Sequence, residues 1–200
     1  MVRTYIAEAV GTFTLSFVVL VAVAAGTGVP FAIPVIAALT LALFVYTIGS
    51  ISGAHINPAV TLGLWSVGKI ETQKAGFYIL AQVLGALVAL FAAKEFVVVA
   101  PLGATPWSTA TFLAEALGAA FFAFGIASVV FGKVHGYMSG MVVGGSLLLG
   151  ILMASLSGAA GILNPAVALA LGATSLTYVL APIIGAVAGF WAYRFIADEH

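Results

Sequence analysis

The sequence predicts an all-α membrane protein: six transmembrane helices plus two re-entrant half-helices, arranged as an inverted repeat. Three observations lead there. The 200 residues are 64% hydrophobic and 6% charged, where an ordinary soluble domain is about a quarter charged. Long stretches carry no Asp, Glu, Lys or Arg, and the chain is written twice. Six Lys/Arg and six Asp/Glu cancel to a formal charge of +0, and mean hydropathy is +1.26. A nucleic-acid binder would need a basic surface, and a disordered chain would need high polarity. With no cysteine, disulfides, thiolate metal sites and cysteine nucleophiles are excluded.

A spanning helix needs about 20 mostly apolar residues, because the hydrocarbon core is ~30 Å thick and each residue rises ~1.5 Å. Residues 9–68 and 134–193 are free of charged side chains, as are the shorter runs 75–93, 96–114 and 116–132. Each long run exceeds two helices and falls short of three. Spans are expected near 5–26, 33–50, 76–95, 112–132, 137–156 and 177–196. The first ends at Gly26-Thr27-Gly28-Val29-Pro30, the second at Gly49-Ser50-Ile51-Ser52-Gly53, both helix-breaking clusters. Two remaining segments, near 58–67 and 165–173, are long enough to enter the bilayer and too short to cross it. Alternating polarity, the mark of barrel strands, is missing. Arg3 followed by an apolar run ending Ala-Val-Ala-Ala-Gly could be a cleaved signal peptide. Glu8 interrupts that run, however, and no polar domain follows it.

The repeat has three anchors. Ala7-Glu8-Ala9-Val10-Gly11 matches Ala114-Glu115-Ala116-Leu117-Gly118, and Asn57-Pro58-Ala59-Val60 matches Asn164-Pro165-Ala166-Val167, both at an offset of 107. Tyr78…Gly85-Ala86 matches Tyr178…Gly185-Ala186 at an offset of 100. One membrane domain, 1–200, with repeats of approximately 1–100 and 108–200, is therefore expected. Three spans per half is an odd number, so the halves must be oppositely oriented, which puts broken segments in pairs at the bilayer midplane. Arg3, Lys69, Lys74, Lys133 and Arg194 fall on one side and Lys94 on the other. Basic residues favour the cytoplasm, so both termini should be cytoplasmic.

Asn is among the best N-cap residues and Pro is favoured at the first helical position. Asn57-Pro58-Ala59 and Asn164-Pro165-Ala166 thus read as helix starts. A single such tripeptide would be an ordinary cap. Two at equivalent places in an inverted repeat should meet mid-membrane, each bringing about half a positive charge from its helix dipole and an amide donor. A water held between them could not relay protons, and a cation would be repelled. The expected chemistry is selective conduction without catalysis.

Ser52-Gly53-Ala54-His55-Ile56-Asn57-Pro58-Ala59-Val60-Thr61 resembles the first signature loop of the aquaporin and aquaglyceroporin (major intrinsic protein) family. Ala7-Glu8…Gly11-Thr12-Phe13, Tyr78…Ala81-Gln82…Gly85-Ala86 and Pro182-Ile183-Ile184-Gly185-Ala186 also resemble family patterns. The resemblance covers nearly the whole chain. It implies an aquaporin-like channel, usually a homotetramer in lipid with one pore per subunit, passing water or a small neutral solute. Asn57 and Asn164 would be the midpoint donors. One departure stands out: the second motif usually continues with Arg, which lines the outer constriction in most relatives, and here it continues with Val167. Counting from the motifs puts the other constriction positions near Ala37, Gly150 and Gly161, although the second loop is two residues longer than the first. Such a mouth would be wide, apolar and uncharged. Relaxed selectivity is then expected, with glycerol, metalloid hydroxides, ammonia, peroxide or a gas as candidates beside water. Collapse of neighbouring side chains into that space, closing the mouth, is the rival reading.

Glu8 and Glu115 lie inside spans, where a charge costs at least ~2.5 kcal/mol. Either they brace the re-entrant loops by accepting backbone N–H bonds, or they carry protons in a coupled secondary transporter. A non-conducting structural homologue is the third alternative. His55 should brace its loop and line the inner vestibule, with a pH gate as the lesser reading, and His135 beside Lys133 should be solvated. The histidines lack ligand spacing for a metal, no nucleophile–base pair is present, and no cofactor is expected. Phe13, Phe17, Phe44, Phe121, Phe122 and Phe124 should face lipid or fill the core. Trp65, Trp107, Trp191 and Tyr193 fall near span ends, where interfacial anchors sit. Short tails point to a prokaryotic cytoplasmic membrane.

Overall fold

A computed structural model of the chain describes residues 2–26, 29 and 31–198. Six helices are long and apolar enough to cross a membrane: α1 (Val2–Ala25), α2 (Ala32–Ser52), α4 (Thr72–Ala93), α5 (Thr109–Val130), α6 (Ser139–Leu156, after a 3₁₀ turn at Gly136–Met138) and α8 (Thr177–Ile196). Between them lie two half-helices, α3 (Pro58–Ser66) and α7 (Pro165–Ala170). Of the expected break at 26–30, Thr27, Gly28 and Pro30 lie outside the described residues.

Local chemistry sets the ends. Ser108 caps α5, its hydroxyl accepting from Thr111 N at 3.3 Å, so the helix begins three residues earlier than the hydropathy expects. α7 stops at Ala170, short of the expected 173. There Gly172 (φ 65) takes a left-handed turn, with Gly172 N donating to Leu169 O and Ala173 N to Ala168 O, the pattern that satisfies orphan carbonyls at a helix end. Gly68 (φ 75) ends α3 the same way, with Lys69 N donating to Leu64 O.

The long helices pair within each half of the chain, and the half-helices cross to the other half. α1 lies on α4 and α5 on α8, while α3 leans on α8 and α7 on α4. Small residues make the closest crossings possible. A Cβ on Gly85 would run into the carbonyl of Ala9, and one on Gly185 into the carbonyl of Ala116. Gly63 of α3 leaves room for the Phe190 ring of α8. Outward faces remain apolar, as with Val2, Ile6 and Val10 on α1 and Leu39 and Leu43 on α2. A bundle hydrophobic both inside and outside fits lipid as its solvent.

The expected interfacial residues Trp65, Trp107 and Trp191 are exposed near helix ends. Tyr193 instead packs between rings, 4.9 Å from Phe124 and 6.1 Å from Phe131. His135 is exposed and stacks on Tyr137.

Candidate functional site

Each half-helix begins as its tripeptide dictates. Asn57 and Asn164 have extended backbones, and their side-chain oxygens accept from Ala59 N at 2.8 Å and Ala166 N at 3.0 Å. Pro58 and Pro165 occupy the first helical position, where a missing N–H costs nothing. The two starts are tied together reciprocally. Asn57 Nδ2 donates to Leu163 O at 2.9 Å, and Asn164 Nδ2 donates to Ile56 O at 3.0 Å. An amide nitrogen has two protons. One on each Asn is spent on this tie, which leaves one for a solute in the cavity that both side chains line.

Behind each start stands a fully buried glutamate. Glu8 accepts from Ser52 Oγ (2.7 Å), His55 N (3.0 Å), Ile56 N (2.7 Å) and Gln82 Nε2 (2.8 Å). Glu115 accepts from Gly161 N (2.6 Å), Ile162 N (3.1 Å to each oxygen) and Leu163 N (3.0 Å). These bonds hold unusual backbone in place. Ile56 (φ 38) and Leu163 (φ 53) are left-handed, a conformation in which a β-branched residue such as Ile56 is an outlier. Gly11 makes room for the Ile56 side chain, and Gly118 and Gly150 for Leu163.

The bracing also decides what the conduit wall offers. A trans peptide is planar, with its N–H and C=O on opposite edges. Turning the N–H groups of residues 55, 56 and 161–163 onto the carboxylates directs the carbonyls of Ala54, His55, Ala160, Gly161 and Ile162 the other way. Those five residues all line the conduit. A solute therefore meets acceptors on either side of two central donors.

His55 lies at the junction. Its Nδ1 is 3.1 Å from Thr61 Oγ1, which donates its one proton to Asn57 O at 3.1 Å and accepts from Gln82 Nε2 at 3.0 Å. The Thr61 hydroxyl must therefore accept from Nδ1–H, so in the neutral ring Nε2 is the free acceptor. The ring stands edge-on to Tyr78 at 5.0 Å, and Tyr78 in turn donates to Ser52 O at 2.7 Å.

Two cavities make up the conduit, one of about 370 Å³ on the Val23–Phe31 side and one of about 280 Å³ on the Lys69–Lys74 side. They share Leu41, His55 and Phe122 as lining, so the two cavities meet there. Phe122, expected only as lipid-facing or core packing, is thus part of the wall. Of the four expected constriction residues, Ala37, Gly161 and Val167 line the larger cavity. Gly150 does not. It faces the carbonyl of Gly118, where it serves the α5–α6 crossing, and Ile151 and Leu152 line the cavity instead. On a helix one residue is a rotation of about 100°, so a count that is off by a single position turns a neighbouring-helix contact toward the cavity. Among the described residues, the lining of the larger cavity includes no Asp, Glu, Lys or Arg. Leu102 closes in from the loop between α4 and α5, held by Leu102 N to Leu171 O (2.9 Å) and Gly103 N to Gly172 O (3.0 Å).

Neither glutamate lines a cavity. Both lie behind the loops, where their oxygens accept the backbone N–H groups described above. Ser52, Thr61, Tyr78 and Gln82 belong to the brace although sequence reasoning did not single them out for it. Thr61 and Gln82, polar and fully buried within apolar helices, were the available signal.

Comparison with known proteins now adds to the geometry. A profile described as "Major intrinsic protein" matches residues 1–193. The chain is 36% identical over 209 residues to "Aquaporin NIP1-3" of Oryza sativa subsp. japonica, covering 96% of this chain and 72% of that protein. It is 34% identical to "Glycerol uptake facilitator protein-like 6" of Lactiplantibacillus plantarum, covering 98% and 99%. Among solved structures, the aquaglyceroporin from Plasmodium falciparum superposes with a TM-score of 0.73 over 99% of this chain and 96% of that one. Their 22% identity shows a common fold.

Proposed function

From the premise that this chain belongs to the major intrinsic protein family, we propose that it is a passive channel for water and small uncharged solutes with a relaxed outer selectivity. The observation that carries the reading is the reciprocal Asn57–Leu163 and Asn164–Ile56 tie, which leaves one donor per Asn facing the conduit. A solute passes by trading hydration for those donors and the flanking carbonyls. A single-file water accepting from both Asn must donate outward in both directions, so a proton cannot be relayed across the centre. The positive ends of α3 and α7 add a barrier to cations there.

Relaxed selectivity rests on the mouth. Ala37, Ile151, Gly161 and Val167 are neutral and Val167 cannot donate, so nothing in the larger cavity's lining is charged. A relative named as a glycerol uptake facilitator supports a polyol-sized solute. The two repeats, about 1–100 and 108–200, carry the equivalent donors and carboxylates. The bundle end holding Arg3, Lys69, Lys74, Lys133 and Arg194 faces the cytoplasm, as the positive-inside tendency directs. The exposed apolar helix faces take lipid and, in a homotetramer, neighbouring copies.

Reconstituted into proteoliposomes, the protein should speed shrinkage in an osmotic gradient and admit glycerol, neither depending on a proton or ion gradient. Water flux that needs such a gradient, or no flux at all, would contradict the channel. Val167→Arg should cut glycerol permeability by about tenfold or more, equivalent to ~1.4 kcal/mol, while water flux changes little. Equal losses for both solutes in stopped-flow light scattering would show that residue 167 does not set the size limit.

A further inference from the structure

Among the described residues, the conduit's lining contains two charged side chains, Lys69 and Lys74, and both belong to the smaller cavity, whose lining includes no acid. We propose that these two lysines form a cationic collar that excludes cations at the inner mouth, so that charge selection, absent from the outer mouth, operates at the opposite end of the conduit. The inference rests on the channel reading above.

The placement of each lysine is built into the fold. Lys69 sits just past the C-terminus of α3, its backbone N–H donating to Leu64 O at 2.9 Å. Because α3 starts at the membrane centre, its negative pole points into the smaller cavity. Left alone, that pole would draw cations in, and Lys69 opposes it at the point where it acts. Lys74 lies in the first turn of α4 and lines the same cavity. The ammonium of Lys69 stands 4.5 Å over the Phe131 ring and that of Lys74 5.3 Å over the Tyr78 ring. Such contacts restrain a long side chain without cancelling its charge, as a carboxylate partner would. Tyr78 also packs on His55, so one continuous stack joins Lys74 to the place where the two cavities meet. The other half of the chain has no counterpart, since offsets of 107 and 100 from Lys69 reach Leu176 and Leu169, and an offset of 100 from Lys74 reaches Thr174. A mobile cation at the inner mouth therefore meets two like charges beside low-dielectric walls, which raise the potential there.

The test uses the full chain in planar bilayers and proteoliposomes, with potassium current and osmotic water flux measured on the same preparations. Lys69→Gln/Lys74→Gln should raise potassium leak at least about tenfold with water flux kept, and Lys69→Arg/Lys74→Arg should behave as the unchanged protein. Retained water flux without added leak would overturn the collar and leave the channel standing. Absence of water flux in the unchanged protein would overturn both. Should the Gln variant not fold, the unchanged protein supplies a second measurement. Raising an impermeant salt on the inner side shortens the screening length from about 30 Å at 0.01 M to about 3 Å at 1 M. Potassium leak should then rise, and a leak indifferent to that salt would also overturn the collar.

Discussion

Glu115→Ala should abolish water permeability and lower the thermal stability of the protein in detergent more than any other single side-chain truncation in the brace. The carboxylate is the acceptor for three consecutive backbone N–H groups, those of Gly161, Ile162 and Leu163. Removing it strands all three in a water-poor site, at about 1–3 kcal/mol each, against a total stability of roughly 5–15 kcal/mol. The left-handed turn at Leu163 then loses its restraint, and with it the carbonyl that anchors Asn57. Glu8→Ala should be milder. Two of its four donors, Ser52 Oγ and Gln82 Nε2, are side chains that can rotate to other acceptors, and Tyr78 still holds Ser52 O. Glu115→Gln keeps one good acceptor and should fall between. A thermal melt and stopped-flow flux on the same preparations give the comparison. Wild-type melting and flux in Glu115→Ala would end the bracing account. Loss of proton dependence in Glu115→Gln, with the fold intact, would favour a proton carrier instead.

A comparable loss is expected from Gly185→Val, for a steric reason. A Cβ at position 185 would meet the Ala116 carbonyl oxygen, with Ala116 C at 2.9 Å and Ala116 Cα at 3.0 Å. These are backbone atoms of a neighbouring helix and cannot rotate aside. α5 and α8 would have to separate, and α3, which packs on α8, would follow. Overpacking a close crossing typically costs about 1–3 kcal/mol and occasionally more, and a β-branched residue belongs at the upper end. Gly145→Val is the control, because nothing lies within 4 Å of a Cβ there and the residue is exposed. Expression, monodispersity in detergent and flux should be lost for Gly185→Val and kept for Gly145→Val. Equal tolerance of both would show that the α5–α8 distance is not set by that glycine.

Much of this was legible before any coordinates. Spans follow from hydropathy because every peptide group in lipid must be bonded within its own segment. The half-helix starts follow from Asn-Pro because capping is a matter of a few adjacent residues. Glu8 and Glu115 announced themselves because a buried carboxylate needs donors, and the repeat placed both at the same distance from an Asn. Each of these inferences concerns local chemistry or spacing along one chain, so the order of residues was sufficient.

The tertiary structure decided which side chains face the conduit. Gly150 gives way to Ile151 and Leu152 in the cavity wall, because the face a helix presents is set by the helices packed against it. It also decided that the spare amide proton of each Asn is the one left over from a tie to the other half, that Gln82 and Thr61 join Glu8 and His55, and that among the described residues the charges in the conduit's lining, Lys69 and Lys74, both stand at the smaller cavity. Those outcomes depend on distances between segments about a hundred residues apart in sequence. Such distances are set by the small residues at helix crossings acting together, and appear only once the helices are packed.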